Sequence, residues 1–85
     1  MPDDMQSNIN QFVIDLCRLS HDLEGFSWRE RPEVLATAVE KGTAAYSELL
    51  KRRSSLDLSP RDASMVEAMM NTVKARLRFL SRWVG

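Results

Sequence analysis

The chain has 85 residues, of which 44% are hydrophobic and 28% are charged, and its formal net charge is zero. This composition excludes an intrinsically disordered chain, and a chain of this length is expected to form one domain with a modest core. The single cysteine, Cys17, excludes an internal disulfide framework and is typical of a reducing compartment. We expect a cytoplasmic protein, because the sequence shows neither a signal peptide nor an apolar run long enough to cross a membrane.

The charges are divided between the two halves of the chain. Residues 1–50 carry nine acids and four bases, whereas residues 51–85 carry eight bases and three acids. Because opposite charges attract, this asymmetry favours packing of the acidic half on the basic half, within one copy or between two copies. The same asymmetry is also typical of chains that contact nucleic acid or membranes.

The first predicted helix runs from about residue 5 to residue 24. Its apolar residues are spaced alternately by four and three positions, which is the period of one helix face: Met5, Ile9, Phe12, Leu16, Leu19, Leu23 and Phe26. Gly25 is expected to end the helix. In the link that follows, Phe26 and Trp28 are expected to fold back over the core.

The second predicted helix runs from about residue 32 to residue 54 and has Pro32 at its first position. Its apolar seam has small side chains in the middle and consists of Leu35, Ala38, Gly42, Ala45 and Leu49. Glycine inside a helix costs about 1 kcal/mol relative to alanine, so we expect a bulky side chain, Phe12 or Met70, to fill the space over Gly42. Glu48 and Arg52 are four residues apart and are expected to form an ion pair.

The third predicted helix runs from about residue 60 to residue 83. Ser59 is the expected N-cap, Pro60 the first helical residue, and Asp62 an acid in the first turn, where the helix dipole favours it. The core line of this helix consists of Val66, Met70, Val73, Leu77, Leu80 and Val84. Because the connections are short, the three helices predict an all-α, antiparallel, up-down-up three-helix bundle.

A second apolar line on the third helix predicts self-association. This line consists of Met65, Met69, Phe79 and Trp83. It widens the apolar face beyond what two partner helices of one bundle cover, so we predict a homo-oligomer, most simply a dimer, with these four residues as interface anchors. The predicted function is a non-catalytic protein–protein interaction module without a cofactor or a membrane contact, and the sequence does not identify a further protein partner.

The basic residues favour an alternative function, a small nucleic-acid-binding regulator. The candidate contacts lie near the connection of the second and third helices and at four-residue steps along the third helix: Lys51, Arg52, Arg53, Lys74, Arg78 and Arg82. The zero net charge favours instead a solvated face whose bases pair with acids of the first helix or of a second copy.

One group of residues on the first helix has the spacing of metal ligands. Cys17, His21 and Glu24 follow one another at intervals of four and three residues, and thiolate and imidazole side chains one turn apart can chelate zinc. One cysteine and one histidine do not complete a closed site, so we expect Cys17 to be a core residue and His21 to lie at the surface. No glycine-rich phosphate loop and no oriented base–nucleophile pair is visible, and the chain is predicted not to be an enzyme.

Overall fold

The structure, a computed structural model, describes residues 2–27 and 29–84. It contains three helices, α1 (Pro2–Glu24), α2 (Pro32–Ser54) and α3 (Pro60–Ser81), and no strand occurs in the described ranges. The predicted all-α fold with three helices is therefore confirmed. α1 begins three residues before the predicted position, α2 has the predicted bounds, and α3 ends two residues before the predicted position. The predictions for the Met5 side chain and for Trp28 fall outside the described residues.

The beginnings of α2 and α3 follow from local sequence. The Ser59 hydroxyl accepts a hydrogen bond of 3.2 Å from the Asp62 backbone N–H, which confirms the predicted N-cap of α3. α2 has no side-chain cap and begins instead at Pro32, whose fixed φ angle suits a first helical position. The Ser27 hydroxyl accepts a hydrogen bond from the Arg29 backbone N–H, so the link forms a turn before α2 starts.

The hydrophobic core runs along the three predicted seams. Every buried hydrophobic residue belongs to one of them: Phe12, Leu16, Leu19, Leu23, Leu35, Ala38, Leu49, Val66, Met70, Val73, Leu77 and Leu80. The described residues include no buried polar or charged side chain, so the side chains of the interior interact through apolar contacts. Each helix contacts both of the others, and the bundle is elongated, with Cα extents of 47 × 19 × 18 Å.

Gly42 of α2 packs closely against both α1 and α3. A Cβ atom built at this position would lie 2.8 Å from the Cδ2 atom of Leu77 and 3.1 Å from that of Leu23. Bulky side chains of the neighbouring helices therefore fill the space over the glycine, as expected, but they are Leu23 and Leu77 and not Phe12 or Met70. Phe12 lies at a different level of the bundle, because its ring lies beneath the guanidinium of Arg52 at the C-terminal end of α2, whereas Gly42 lies in the middle of this helix.

Two arginines connect α1 to the other helices at different levels. Arg52 of α2 pairs with Asp15 in the second half of α1, with 2.7 Å between the Nη1 and Oδ2 atoms. Arg76 of α3 donates hydrogen bonds to the backbone carbonyls of Leu23 and Phe26, at the end of α1. The predicted pair of Arg52 with Glu48 is wrong, because the half-buried Asp15 carboxylate takes the guanidinium. Glu48 lies instead 3.6 Å from the ammonium group of Lys51.

Among the described residues, no helix is both long enough and apolar enough to cross a lipid bilayer.

Candidate interaction surface

Three of the five large apolar side chains that are exposed among the described residues, Ile14, Met65 and Trp83, lie on the side of the bundle where α1 meets α3, which we call the α1/α3 face. The other two, Val34 and Leu50, lie on α2. Near the start of the two helices, this face contains a groove of about 460 Å³. Ile14 of α1 and Met65 of α3 line the groove and are 46% and 47% exposed. Ile9, Val13 and Leu58 also line it and are half-buried. This end of the face presents aliphatic and thioether groups to solvent, together with the polar side chains of Gln6, Asn10 and Asp62.

A second groove continues the α1/α3 face toward the other end of the bundle. It measures about 410 Å³, and its exposed or half-buried lining consists of Ser20, Glu24, Thr72, Ala75, Arg76 and Phe79. The Phe79 ring meets the Trp83 ring edge-on, with 6.3 Å between the centroids, and Trp83 is 46% exposed. Met65 and Phe79 are 14 residues apart, which is about four helical turns, so both lie on the same side of α3, and the Trp83 ring just beyond the helix packs against Phe79.

The four predicted interface anchors lie along this edge of α3 with different degrees of exposure. Met65 and Trp83 are exposed, whereas Met69 and Phe79 are half-buried and pack against the core. Met69 and Phe79 therefore contribute to the packing of the core as well as to the exposed surface. The role of all four as anchors stays a prediction.

Arg76 has a role that the sequence analysis missed. Its Nη2 atom lies 2.6 Å from the Phe26 carbonyl oxygen and its Nε atom 3.4 Å from that of Leu23, while its guanidinium stacks 5.1 Å from the centroid of the Phe79 ring. The last carbonyls of a helix lack partners within the helix and carry partial negative charge. Arg76 thus caps the end of α1 from a neighbouring helix. The sequence does contain a sign of this role, because Arg76 is a basic residue within the apolar line of α3, three residues before Phe79.

The Arg52 side chain also has interaction partners within the chain. Besides its pair with Asp15, its guanidinium lies 5.7 Å from the centroid of the Phe12 ring. The hydrogen bond from Arg52, and a second one from the Gln11 side chain, hold the pKa of Asp15 below its usual range. Among the six bases proposed for nucleic-acid contact, Arg52 therefore faces α1 rather than open solvent.

The other five bases of that set do not form one patch. Lys51, Lys74, Arg78 and Arg82 are exposed, and Arg53 is half-buried. Lys74 lies nine residues from Met65 and nine from Trp83, about two and a half turns in each direction, so it faces away from the apolar edge of α3. The basic line and the apolar line thus lie on different sides of this helix.

The Cys17 thiol is exposed, so the expectation that it belongs to the core is wrong. Its position falls four residues after Val13 and three before Ser20, which places it on the α1/α3 face beside the buried seam rather than within it. His21 is exposed, as expected. Within the described ranges, no three cysteine, histidine or carboxylate side chains are grouped so that they could hold a metal ion.

The small residues of the α2 seam leave a third groove, between α1 and α2. It measures about 430 Å³ and is lined by Leu19, Leu23, Phe26, Ala38, Gly42 and Ala45, with Asp22 and Lys41 at its rim. Its lining is mainly apolar, whereas the grooves of the α1/α3 face mix apolar with polar and charged side chains. These surfaces can bind apolar side chains.

Comparisons with protein-family models, with curated proteins and with solved structures find no match to this chain.

Proposed function

We propose that this protein is a non-catalytic helical interaction module that self-associates, most simply as a dimer, through the α1/α3 face. The observation that carries the proposal is the line of uncovered apolar side chains along this face, from Ile14 and Met65 at one end to Trp83 at the other. Contiguous exposed apolar surface is unfavourable in water, and on a small protein it is typical of an interface.

The proposed architecture is an antiparallel up-down-up bundle. The contact of Arg76 with the end of α1 supports this arrangement, as does the groove that Ile9 and Met65 share near the starts of their helices. The pair of Asp15 with Arg52, near the end of α2, supports the opposite direction of α2. In this architecture, α1 and α3 run in the same direction, side by side, and their shared face extends along the whole bundle.

The size of the bundle fits a dimer of ordinary proportions. A stable interface buries about 800 Å² of surface on each partner. One long side of a body with extents of 47 × 19 × 18 Å offers an area of that order, whereas a single groove is far smaller. We therefore propose that both grooves of the α1/α3 face take part.

The chemistry of the surface favours binding over catalysis. A catalytic site needs a nucleophile and a base held together in a pocket with a third group that orients the base. Cys17 and His21 are the only thiol and imidazole of the chain, and both lie exposed on one helix. An exposed single thiol fits a reducing compartment, and we place the protein in the cytoplasm on this ground.

The test is the oligomeric state of the intact chain, measured by sedimentation equilibrium up to high micromolar concentration. We expect a dimer, and we expect Trp83→Ala and Met65→Ala each to weaken it at least about tenfold, because apolar anchors dominate interface energy. Leu50→Ala is the matched control, since Leu50 is also 46% exposed but belongs to α2. A strict monomer would refute the proposal, and an equal effect of all three changes would refute the choice of face.

A second candidate function, nucleic-acid binding, is favoured by one observation. Lys74, Arg78 and Arg82 are all exposed and follow one another at four-residue steps. Contacts to phosphates make binding steeply dependent on salt, so we expect any binding to short duplex DNA or RNA to be strongest at low salt and to fall when these bases are replaced by alanine. Absence of binding at low salt would exclude this function.

A further inference from the structure

The methionines of α3 differ in their access to solvent. Met65 is 47% exposed, Met69 is half-buried, and Met70 is 5% exposed. Among the side chains that the structure describes, Met65 is therefore the only exposed methionine. The Cys17 thiol on α1 is exposed as well. A reagent that attacks sulfur from solution reaches Met65 and Cys17 before the two other methionines.

Met65 lies on the surface that the proposed self-association uses. It lines the groove near the starts of α1 and α3 together with Ile14, which is 46% exposed. The polar side chains of this groove are Gln6 and Asn10, which are exposed and hydrogen-bonded to each other, and Asp62, whose carboxylate only accepts hydrogen bonds. The groove thus offers a new oxygen atom on the Met65 sulfur fewer hydrogen-bond donors than water does.

Oxidation by a peroxide converts an apolar methionine side chain into a polar one. The sulfur lone pair attacks one peroxide oxygen, so an S–O bond forms and the O–O bond breaks, and hydrogen peroxide leaves as water. The sulfur loses two electrons and the peroxide gains them, which yields methionine sulfoxide. Because the sulfoxide oxygen is hydrated in the monomer, its transfer into an interface without a matching donor is unfavourable.

We propose that self-association through the α1/α3 face is sensitive to oxidation, and that Met65 is the side chain that confers this sensitivity. The inference rests on the proposed function, since an oxidised Met65 acts only where there is an interface to weaken. Dissociation of the dimer exposes Met65 to the peroxide, and the sulfoxide form then stays monomeric. Met65 is not part of the hydrophobic core, so the oxidised monomer keeps its three helices.

The test combines treatment with hydrogen peroxide and measurement of the oligomeric state by sedimentation velocity, at a concentration at which the untreated chain is dimeric. Trypsin cleaves after Arg61 and Lys74, so one peptide carries all three methionines of α3, and its fragment masses show which of them is oxidised. We expect Met65 sulfoxide to accumulate first, and the Kd of the dimer to rise at least about tenfold with it. The circular dichroism of the helices should stay unchanged.

Two variants and a reversal serve as controls. Met65→Leu keeps the volume and the apolar contacts but has no sulfur, so it should be dimeric before and after treatment. Cys17→Ala should dissociate on treatment as the wild-type chain does. Methionine sulfoxide reductases for both epimers, supplied with a dithiol as reductant, should restore the dimer of the oxidised wild-type chain.

A dimer that persists after Met65 is converted to the sulfoxide would overturn the inference, while self-association would stand. Equal dissociation of Met65→Leu, or protection by Cys17→Ala, would overturn it as well, because a different oxidised group would be responsible. If Met65→Leu itself associates weakly, the wild-type time course decides, since dissociation must follow oxidation of Met65 and not of Met69 or Met70. A chain that is monomeric before treatment would refute the proposed function itself.

Discussion

Replacement of Arg76 by methionine is expected to destabilise the bundle by about 2–3 kcal/mol. Methionine keeps an aliphatic stem but removes the guanidinium. A hydrogen bond from a charged donor contributes about 1.5–3 kcal/mol to stability. We assign this contribution to the hydrogen bond of 2.6 Å from Arg76 to the Phe26 carbonyl, because the hydrogen bond of 3.4 Å to the Leu23 carbonyl is long and adds little. Stacking on the Phe79 ring, at 5.1 Å, adds about 0.5–1 kcal/mol.

The assay is thermal and urea unfolding followed by circular dichroism, at a concentration at which the chain is monomeric. For a domain of this size, 1 kcal/mol shifts Tm by about 4–8 °C, so the expected loss is about 10–20 °C. Arg78→Met, two residues along the same helix and exposed, is the matched control and should change stability by less than about 0.5 kcal/mol. Equal effects of the two changes would refute the capping role of Arg76. Arg76→Lys, which keeps the charge without the planar fork, should fall between them.

Three further predictions concern stability. The pKa of Asp15 is lowered in the folded chain, so the contribution of its carboxylate to the free energy of unfolding is complete well above the unfolded pKa of about 3.9 and is lost as the pH falls below it. The difference in free energy of unfolding between wild type and Asp15→Asn, measured in urea, should therefore be large at pH 7 and small at pH 3. A difference that stays constant with pH would contradict this. Gly42→Val should lower the free energy of unfolding by at least about 2 kcal/mol, because the valine side chain collides with two buried leucines. Ala44→Val, on the exposed side of α2, is the control and measures only the difference in helix propensity, about 0.5 kcal/mol. Ser59→Ala removes the N-cap of α3 and should cost about 1 kcal/mol in thermal unfolding, with Ser64→Ala as an uncapped control.

The features of the fold that depend on one helix at a time could be predicted from the sequence. The period of apolar residues identified the buried seams, because each seam needs only the helical repeat. The cap at Ser59 and the first positions of α2 and α3 depend on neighbouring residues and were likewise predictable. The uncovered line on α3 was also visible in the sequence, since Met65 and Trp83 lie beside the core line and not within it.

The features that depend on how one helix faces another could not be predicted. The partner of Arg52 is Asp15, 37 residues away, and choosing it over Glu48 requires the relative levels of α1 and α2. The same information is needed to know that leucines fill the space over Gly42. Cys17 lies next to the seam of α1, so a small rotation of that helix decides between burial and exposure.

An interior made only of hydrocarbon and thioether groups does not by itself prevent one helix from sliding along another. A shift of one turn, about 5.4 Å, would move Leu23 and Leu77 away from Gly42, but apolar contacts elsewhere along the seams have no directional preference. The guanidinium contacts of Arg52 and Arg76 resist such slippage, because each has a fixed oxygen target and the two hold α1 against different neighbours. The alignment of the three helices therefore depends on these two polar clamps as well as on the fit of Leu23 and Leu77 over Gly42, while the hydrophobic core supplies most of the stability. Replacement of residues in the centre by others of similar volume should leave that alignment intact as long as both clamps remain.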